Sequence, residues 1–272
     1  QVVGANKVAH ALDLAQQARI GVLVDHEDQV AAFAQVSTVR KIQIDVYIEV
    51  DVGMGRCGAT SIEQVVAIAR QIEEAPYLNF MGLQCYHGSA QHYRLPNERQ
   101  SAIAAVCAKA AEAKAAVEKA GVTVERITGA GTGSVMLEGS SSIFNEVQAG
   151  SYILMDRDYA KNQRDSSDLA FEPALFIKTA ILSHPSQGRA VVDAGLKASS
   201  VDSGMPLVWQ RTDANYLKAS DEHGVLELTA DSPLKLGDSI MLIPGHCDPT
   251  VNLYDEIICV RGKTVEAIWP IA

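Results

Sequence analysis

Ile44-Asp45-Val46-Tyr47-Ile48-Glu49-Val50-Asp51 is a β-branched run with helical patterns on both sides. Residues 27–35 before it read as a helix. After it, Thr60-Ser61-Ile62-Glu63 is a capping box that opens a second helix through Glu74. The alternation continues in both directions. Val8, Leu12 and Ala15 recur at helical spacing, and Ile20-Gly21-Val22-Leu23-Val24-Asp25 is a short buried strand. Residues 79–87 read as a strand ending in polar side chains. Residues 98–120 form an Ala-rich helix with Ile103, Val106, Ala110 and Val117 on one face and Gly121 as its stop. Residues 124–128 and 146–156 read as two more strands. Five strands with helices between several of them predict a parallel α/β sheet, either open or part of a (β/α)8 barrel. No GxGxxG-plus-acidic fingerprint supports a dinucleotide-binding sheet. The polar residues gather at strand ends, which form one rim in a barrel.

After about residue 170 the pattern changes. Residues 176–182, 189–193, 225–228, 239–243 and 256–260 are short β runs. Turn signals such as Ser186-Gln187-Gly188, Glu222-His223-Gly224 and Arg261-Gly262-Lys263 separate them. The expected organisation is a parallel α/β domain over residues 1–168, either an open sheet or an incomplete (β/α)8 barrel, and an all-β domain over residues 169–272.

Composition narrows the partners. The chain has 272 residues, 47% hydrophobic and 21% charged, with a net charge of −10. That is globular, and acidity without a Lys/Arg-rich run argues against nucleic acid and anionic membrane surfaces. No stretch approaches the ~20 apolar residues of a membrane span. Five cysteines without CxxC spacing argue against a disulfide framework or a structural zinc knuckle, and the expected compartment is the cytoplasm.

Four stretches carry chemistry. Thr128-Gly129-Ala130-Gly131-Thr132-Gly133-Ser134 ends a strand with exposed N–H groups and hydroxyls, and Ala149-Gly150-Ser151 closes the next one. Together they could hold a phosphate, or each could be a tight turn. Asp51-Val52-Gly53-Met54-Gly55-Arg56-Cys57-Gly58 is a constrained loop around a single guanidinium. Tyr86-His87-Gly88-Ser89-Ala90-Gln91-His92 sets a phenol and two imidazoles at a strand end, suited to acid–base work. In Pro244-Gly245-His246-Cys247-Asp248-Pro249-Thr250-Val251-Asn252, an extended backbone would point His246 and Asp248 the same way and Cys247 elsewhere. One imidazole and one carboxylate suit Mn²⁺, Mg²⁺ or Zn²⁺ with open water positions; a capped turn is the alternative.

In this order the motifs resemble the fold-type III pyridoxal phosphate enzymes, whose barrel domain is like that of alanine racemase. The likeness is to the D-threonine aldolase and D-serine dehydratase branch. It is carried by DVGMGRCG at 51–58, GLQCYHGSAQH at 82–92, TGAGTGS at 128–134, QAGSYILMD at 148–156, DAGLKASSVD at 193–202 and PGHCDPTVNLYDE at 244–256. In this branch a His-x-Asp pair is similar to the aldolases and a His-x-Cys pair to the dehydratases, so His246 and Asp248 point to an aldolase.

The resemblance implies pyridoxal 5'-phosphate and a divalent metal. Thr132, Gly133, Gly150 and Ser151 match phosphate-cup positions, and Tyr152 is a further cofactor-binding position. Arg56 matches the arginine near the cofactor's phenolic oxygen, Tyr86 or His87 packs beside the ring, and Gln148 faces the pyridine nitrogen. His246 and Asp248 match the metal ligands, and His92 is the candidate base near the substrate hydroxyl. The implied reaction cleaves D-threonine and other D-3-hydroxy amino acids to glycine and an aldehyde. The alternatives are a D-serine or D-threo-3-hydroxyaspartate dehydratase, a racemase, a cofactor carrier or a non-catalytic cofactor-binding fragment. The related barrels also imply a possible homodimer.

The family's Schiff-base lysine stands near the N-terminus on the first barrel strand, and no matching motif is present here. Lys7, Lys41 and Lys197 are unconvincing substitutes. The expectation is that roughly a hundred N-terminal residues, with the missing strands and the lysine, precede Gln1.

Overall fold

The computed structural model describes residues 1–165 and 168–271. It divides into two compact units. The first comprises Gln1–Gly150 with Arg164–Asp168, and the second Ser151–Gln163 with Leu169–Ala272.

The first unit is built on a five-stranded parallel sheet: β1 (Gly21–Val24), β2 (Ile44–Glu49), β3 (Leu78–Gln84), β4 (Arg126–Gly129) and β5 (Glu146–Val147). Its spatial order is the chain order. Each βα step therefore advances one place in one direction, with no reversal of the kind that marks a doubly wound sheet. This is barrel-type winding.

The helices explain themselves locally. α1 (Ala5–Ala15) buries Val8 and Leu12, and α2 (Glu27–Arg40) buries Val30 and Phe33. α2 runs five residues past the expected end, to a left-handed cap at Lys41. α3 (Ile62–Glu74) buries Val65, Ile68, Ala69 and Ile72, one face at 3.6-residue spacing. Its cap is Ser61, whose hydroxyl accepts from Gln64 N, rather than Thr60. α4 (Pro96–Lys119) opens on Pro96, where no N–H is needed, and buries Ile103, Val106, Ala110, Ala113 and Val117. These faces cover Val22, Val24, Val46 and Ile48 of the sheet in one core.

One expected strand is largely absent. Of residues 146–156 only Glu146–Val147 pair; a 3-10 turn at Ser151–Ile153 and the short α6 (Arg157–Ala160) follow, after the one-turn α5 (Val135–Gly139) earlier in the chain. Ala149-Gly150 ends the β run sooner than its apolar residues suggest.

The second unit carries a six-stranded antiparallel sheet. Its strands are β6 (Ile177–Ser186), β7 (Arg189–Val192), β8 (Leu207–Val208), β9 (Ala214–Ala219), β10 (Gly224–Leu228) and β11 (Ser239–Ile243). The order is β8-β11-β6-β7-β10-β9, and the edge strands β8 and β9 meet, so the sheet nearly closes. Ile181, Val192, Tyr216, Leu226 and Leu242 form its core. A separate hairpin pairs β12 (Glu256–Arg261) with β13 (Thr264–Pro270), and the short α7 (Cys247–Val251) precedes it.

Candidate active site

Because β2 to β5 are parallel and in register, their C-terminal ends lie along one edge. Glu49 pairs with Gln84, Gln84 with Thr128, and Gly129 with Val147. The sequence-predicted residues of the first unit sit on the loops that leave this edge.

After β2, the Asp51 carboxylate accepts from the N–H of Gly53 (3.0 Å) and Gly55 (3.1 Å). Those backbone bonds, Gly55's foremost, hold the Asp51 carboxyl below its usual range and fold the loop back on itself. The fold-back aims Arg56. Its guanidinium lies 3.6 Å from the buried Glu49 carboxylate and 5.9 Å from the centroid of the Tyr86 ring. Arg56 and Tyr86 are thus brought together as a cation over an aromatic face.

After β3, His87 is buried, its Nδ1 accepts from Ala90 N (3.4 Å), and its ring stands edge-on to Tyr93. Burial pushes its pKa down, so the imidazole is neutral near pH 7 and its Nε2 carries the proton. His92 ends the same 3-10 turn (Gly88–His92) and is exposed.

Gln148 does not stand alone. Its side chain exchanges two hydrogen bonds with Gln84, at 2.9 and 2.7 Å, joining the ends of β5 and β3. Sequence reading missed Gln84, although it lies inside the GLQCYHGSAQH motif.

The TGAGTGS loop is held from below. Buried Gln91 accepts from Gly133 N (2.9 Å) and donates to Ser134 Oγ (2.7 Å), and Ser134 donates to Glu138 Oε1 (3.0 Å). A Cβ at Gly131 or Gly133 would run into Gln91 at 2.6 or 2.4 Å, so these glycines serve the loop's packing. Thr132 is half-buried, and Gly150 faces open space. Among the described residues Thr128 Oγ1 and Glu138 Oε2 are buried without a hydrogen-bond partner. An arginine, an orphaned hydroxyl and an open glycine on one edge fit a phosphorylated aromatic ligand.

Burial pushes the Glu138 carboxyl up to about 7, against the opposing Ser134 hydrogen bond. Between about pH 4.5 and 7 the folded chain keeps a proton that the unfolded chain has lost, so this group's contribution to stability falls as pH rises through that window. The full drop is about 3 kcal/mol. Glu138→Gln is expected to remove it: in urea melts at pH 5 and pH 8, the variant gains on wild type at pH 8 by about that amount. An equal difference at both pH values would contradict the assignment.

In the second unit, Ser151 begins a 3-10 turn and its carbonyl accepts from Met155 N (2.7 Å), while the exposed Tyr152 ring packs against Phe171 at 5.2 Å. β11 runs into Pro244-Gly245, and α7 follows with His246 at its N-cap. The segment is therefore extended at His246 but helical at Asp248, which corrects the extended-segment premise. The two side chains still meet, with His246 Nε2 3.2 Å from Asp248 Oδ2, and Cys247 is fully buried.

Asp156 fixes this corner. One carboxylate oxygen caps α6 at Tyr159 N and the other accepts from Cys247 N, both at 2.9 Å. Arg157 N and Asp158 N bond the carbonyls of Pro244 and Gly245. Gly245 lies so close to a second loop that a Cβ there would fall 1.9 Å from the Gly204 carbonyl oxygen.

Two donors 3.2 Å apart subtend about 100° at an ion with bonds of about 2.1 Å, which suits two adjacent ligands of one divalent cation. Among the described residues no group of three or more His, Cys, Asp or Glu side chains is arranged to hold a metal. The pair thus leaves the remaining coordination positions open.

The comparisons with known proteins agree with this architecture. Residues 2–158 match the family model of the alanine racemase N-terminal domain, and residues 174–260 match that of a serine dehydratase domain. The chain is 43% identical over 261 residues to a 3-hydroxy-D-aspartate aldolase of Paracoccus denitrificans, covering 94% of this chain and 67% of that one. It is 41% identical over 278 residues to a D-threonine aldolase of an Arthrobacter species, covering 100% of this chain and 72% of the relative. The crystal structure of a D-threonine aldolase from Filomicrobium marinum superposes with a TM-score of 0.96 at 41% identity, over 99% of this chain and 74% of that one.

Proposed function

Since the chain belongs to the family of the D-threonine and 3-hydroxy-D-aspartate aldolases, built on the alanine racemase N-terminal domain, we propose that it cleaves D-threonine and related D-3-hydroxy amino acids to glycine and an aldehyde. It is an enzyme of the lyase class. The observation that carries the aldolase over the dehydratase is the convergence of His246 with a carboxylate, Asp248, while the intervening thiol of Cys247 is buried. The serine dehydratase domain match over residues 174–260 keeps dehydration as the second reading.

The family implies pyridoxal 5'-phosphate. That cofactor supplies an electron sink for the bond that breaks, and a divalent cation supplies Lewis acidity at the 3-hydroxyl. The chain's own residues do the rest. His246 and Asp248 hold the cation, taken to be Mn²⁺, Mg²⁺ or Zn²⁺. His92 removes the proton from the 3-hydroxyl oxygen. Arg56, steadied by Glu49 and Tyr86, would hold the phenolic oxygen, and Tyr86 or His87 would pack beside the ring. Gln148, tied to Gln84, offers the pyridine nitrogen a neutral amide. Thr132, Gly133, Gly150 and Ser151 are assigned to the phosphate end, and Tyr152 to the cofactor site.

The Schiff-base lysine is assigned to a segment outside these 272 residues. Lys7 lies in α1 and Lys41 caps α2 just before β2, so neither stands at the strand ends that carry Arg56 and Tyr86, and Lys197 of the second unit is paired with Glu222. Among the described residues β1 pairs on one side only, which leaves an edge for further strands. Five free cysteines support a cytoplasmic setting, and no helix of the described residues is long and apolar enough to cross a membrane. A homodimer completes the reading; exposed Ile258, Val260, Ile268 and Trp269 on the β12–β13 hairpin offer it apolar surface.

The test is a product assay on the holoenzyme. D-threonine with Mn²⁺ is expected to yield glycine and acetaldehyde one to one, with L-threonine untouched. Ammonia and 2-oxobutanoate as the sole products would replace this reading by the dehydratase.

A further inference from the structure

We infer that Asp202 is a positioning residue for the cation pair: it grips His246 through Nδ1 and thereby presents Nε2, alongside Asp248, as the nitrogen that ligates. This rests on the reading of His246 and Asp248 as the residues that hold the cation.

The imidazole lies between two carboxylates. Asp202 Oδ2 is 2.7 Å from Nδ1, and Asp248 Oδ2 is 3.2 Å from Nε2. The two ring nitrogens point in divergent directions, so one ion cannot take both. The surroundings of the carboxylates decide which side is which. Asp202 is already engaged: Ser200 Oγ donates to its Oδ1 at 2.6 Å, and Ser203 Oγ donates to its Oδ2 at 3.0 Å. Asp248 is 70% exposed, and its carboxylate is free to accept a cation and water. A carboxylate on Nδ1 fixes the proton there, leaves the lone pair on Nε2 and makes the ring a better donor.

The Asp202 loop is also built to keep its place. Ser200 N donates to Thr250 Oγ1 (3.1 Å), which donates in turn to the His246 carbonyl (2.7 Å). The Gly204 carbonyl packs directly on Gly245. Three contacts therefore tie residues 200–204 to residues 245–250, although 44 positions separate Asp202 from His246.

The test uses the full protein and two probes. Mn²⁺ is titrated alone and free Mn²⁺ is read by electron paramagnetic resonance. Zn²⁺ is added to ¹⁵N-labelled protein, and the imidazole nitrogens are read by NMR. Wild type is expected to bind one Mn²⁺ and to ligate Zn²⁺ through Nε2 with the proton on Nδ1. Asp202→Asn should weaken Mn²⁺ about 10-fold and Asp202→Ala about 100-fold, with unchanged circular dichroism and loss of the Nδ1–H signature. Full affinity in Asp202→Ala, or ligation through Nδ1 in wild type, would overturn the inference. Asp248→Ala separates the two claims. If it loses Mn²⁺ while Asp202→Ala does not, the inference alone fails. If Asp248→Ala binds as wild type does, the reading of the pair fails and takes the inference with it.

Discussion

Asp248→Ala in the holoenzyme lowers cation-dependent turnover of D-threonine about a thousandfold and leaves a residue of activity that added Mn²⁺ no longer raises. The size follows from what the cation does. Lewis acidity at the reacting hydroxyl contributes several kcal/mol in the transition state, and each 1.4 kcal/mol is about tenfold in rate. Asp248 is suited to a clean test because its side chain is mostly exposed and, among the described residues, bonds to His246. Its removal leaves the corner held by Asp156, Thr250 and Gly245. A folded variant with full, Mn²⁺-stimulated activity would show that the pair does not hold the cation. Asp248→Cys, which rebuilds the dehydratase-like pattern, is the informative companion: weakened aldol cleavage with altered metal preference is expected, because a thiolate favours Zn²⁺ over Mn²⁺.

Gly82→Ala unfolds or severely weakens the first unit. Gly82 has a positive φ of 149° in the middle of β3, and a Cβ there would lie 1.9 Å from the Arg126 carbonyl oxygen on β4. The side chain cannot be accommodated by a rotamer change, since the obstacle is backbone of the adjacent strand. The register between β2 and β3 also shifts there: Val46 faces Phe80, but Tyr47 faces Gly82, leaving Met81 as the extra residue. The bulge sets Gln84 opposite Glu49, and so sets the residues of the edge that carries Arg56 and Tyr86. Strain at such a φ together with a forced backbone shift costs about 3–5 kcal/mol, or about 10 °C in Tm for a unit of this size. Gly139→Ala is the control. Its Cβ would meet nothing within 4 Å, and its melting temperature should stay within about 1–2 °C of wild type. Equal melting temperatures for the two variants would show that the bulge is not needed.

The parts of the fold that were legible in sequence are those set by local periodicity. Val65, Ile68 and Ile72, and Ile103, Val106, Ala110 and Val117, lie on the buried faces that their spacing predicts. Strand β11 coincides with the expected run at 239–243. Strands β8, β9 and β13 were not legible. β8 is two residues long, and β9 (Ala-Asn-Tyr-Leu-Lys-Ala) exposes Leu217, so neither shows a clean apolar alternation. The β13 strand and its partner β12 are mostly exposed, so burial imposes no pattern on them.

The site divides the same way. His246 and Asp248 were legible because they are two positions apart, even though the backbone between them turns helical rather than staying extended. Their supports were not. Asp202 bonds across 44 positions, Gln84 to Gln148 across 64 and Asp156 to Cys247 across 91. Such contacts arise from sheet order and loop packing, which spacing along the chain does not encode.

The most direct measurement uses D-threonine deuterated at Cα, followed by NMR through the first turnovers of the Mn²⁺-loaded holoenzyme in ordinary water. Aldol cleavage breaks the bond to Cβ and leaves the Cα label in place, so monodeuterated glycine and unlabelled acetaldehyde are expected in equal amounts. Release of the label to solvent with formation of 2-oxobutanoate would mean that the Cα proton is the group removed, and would contradict the account.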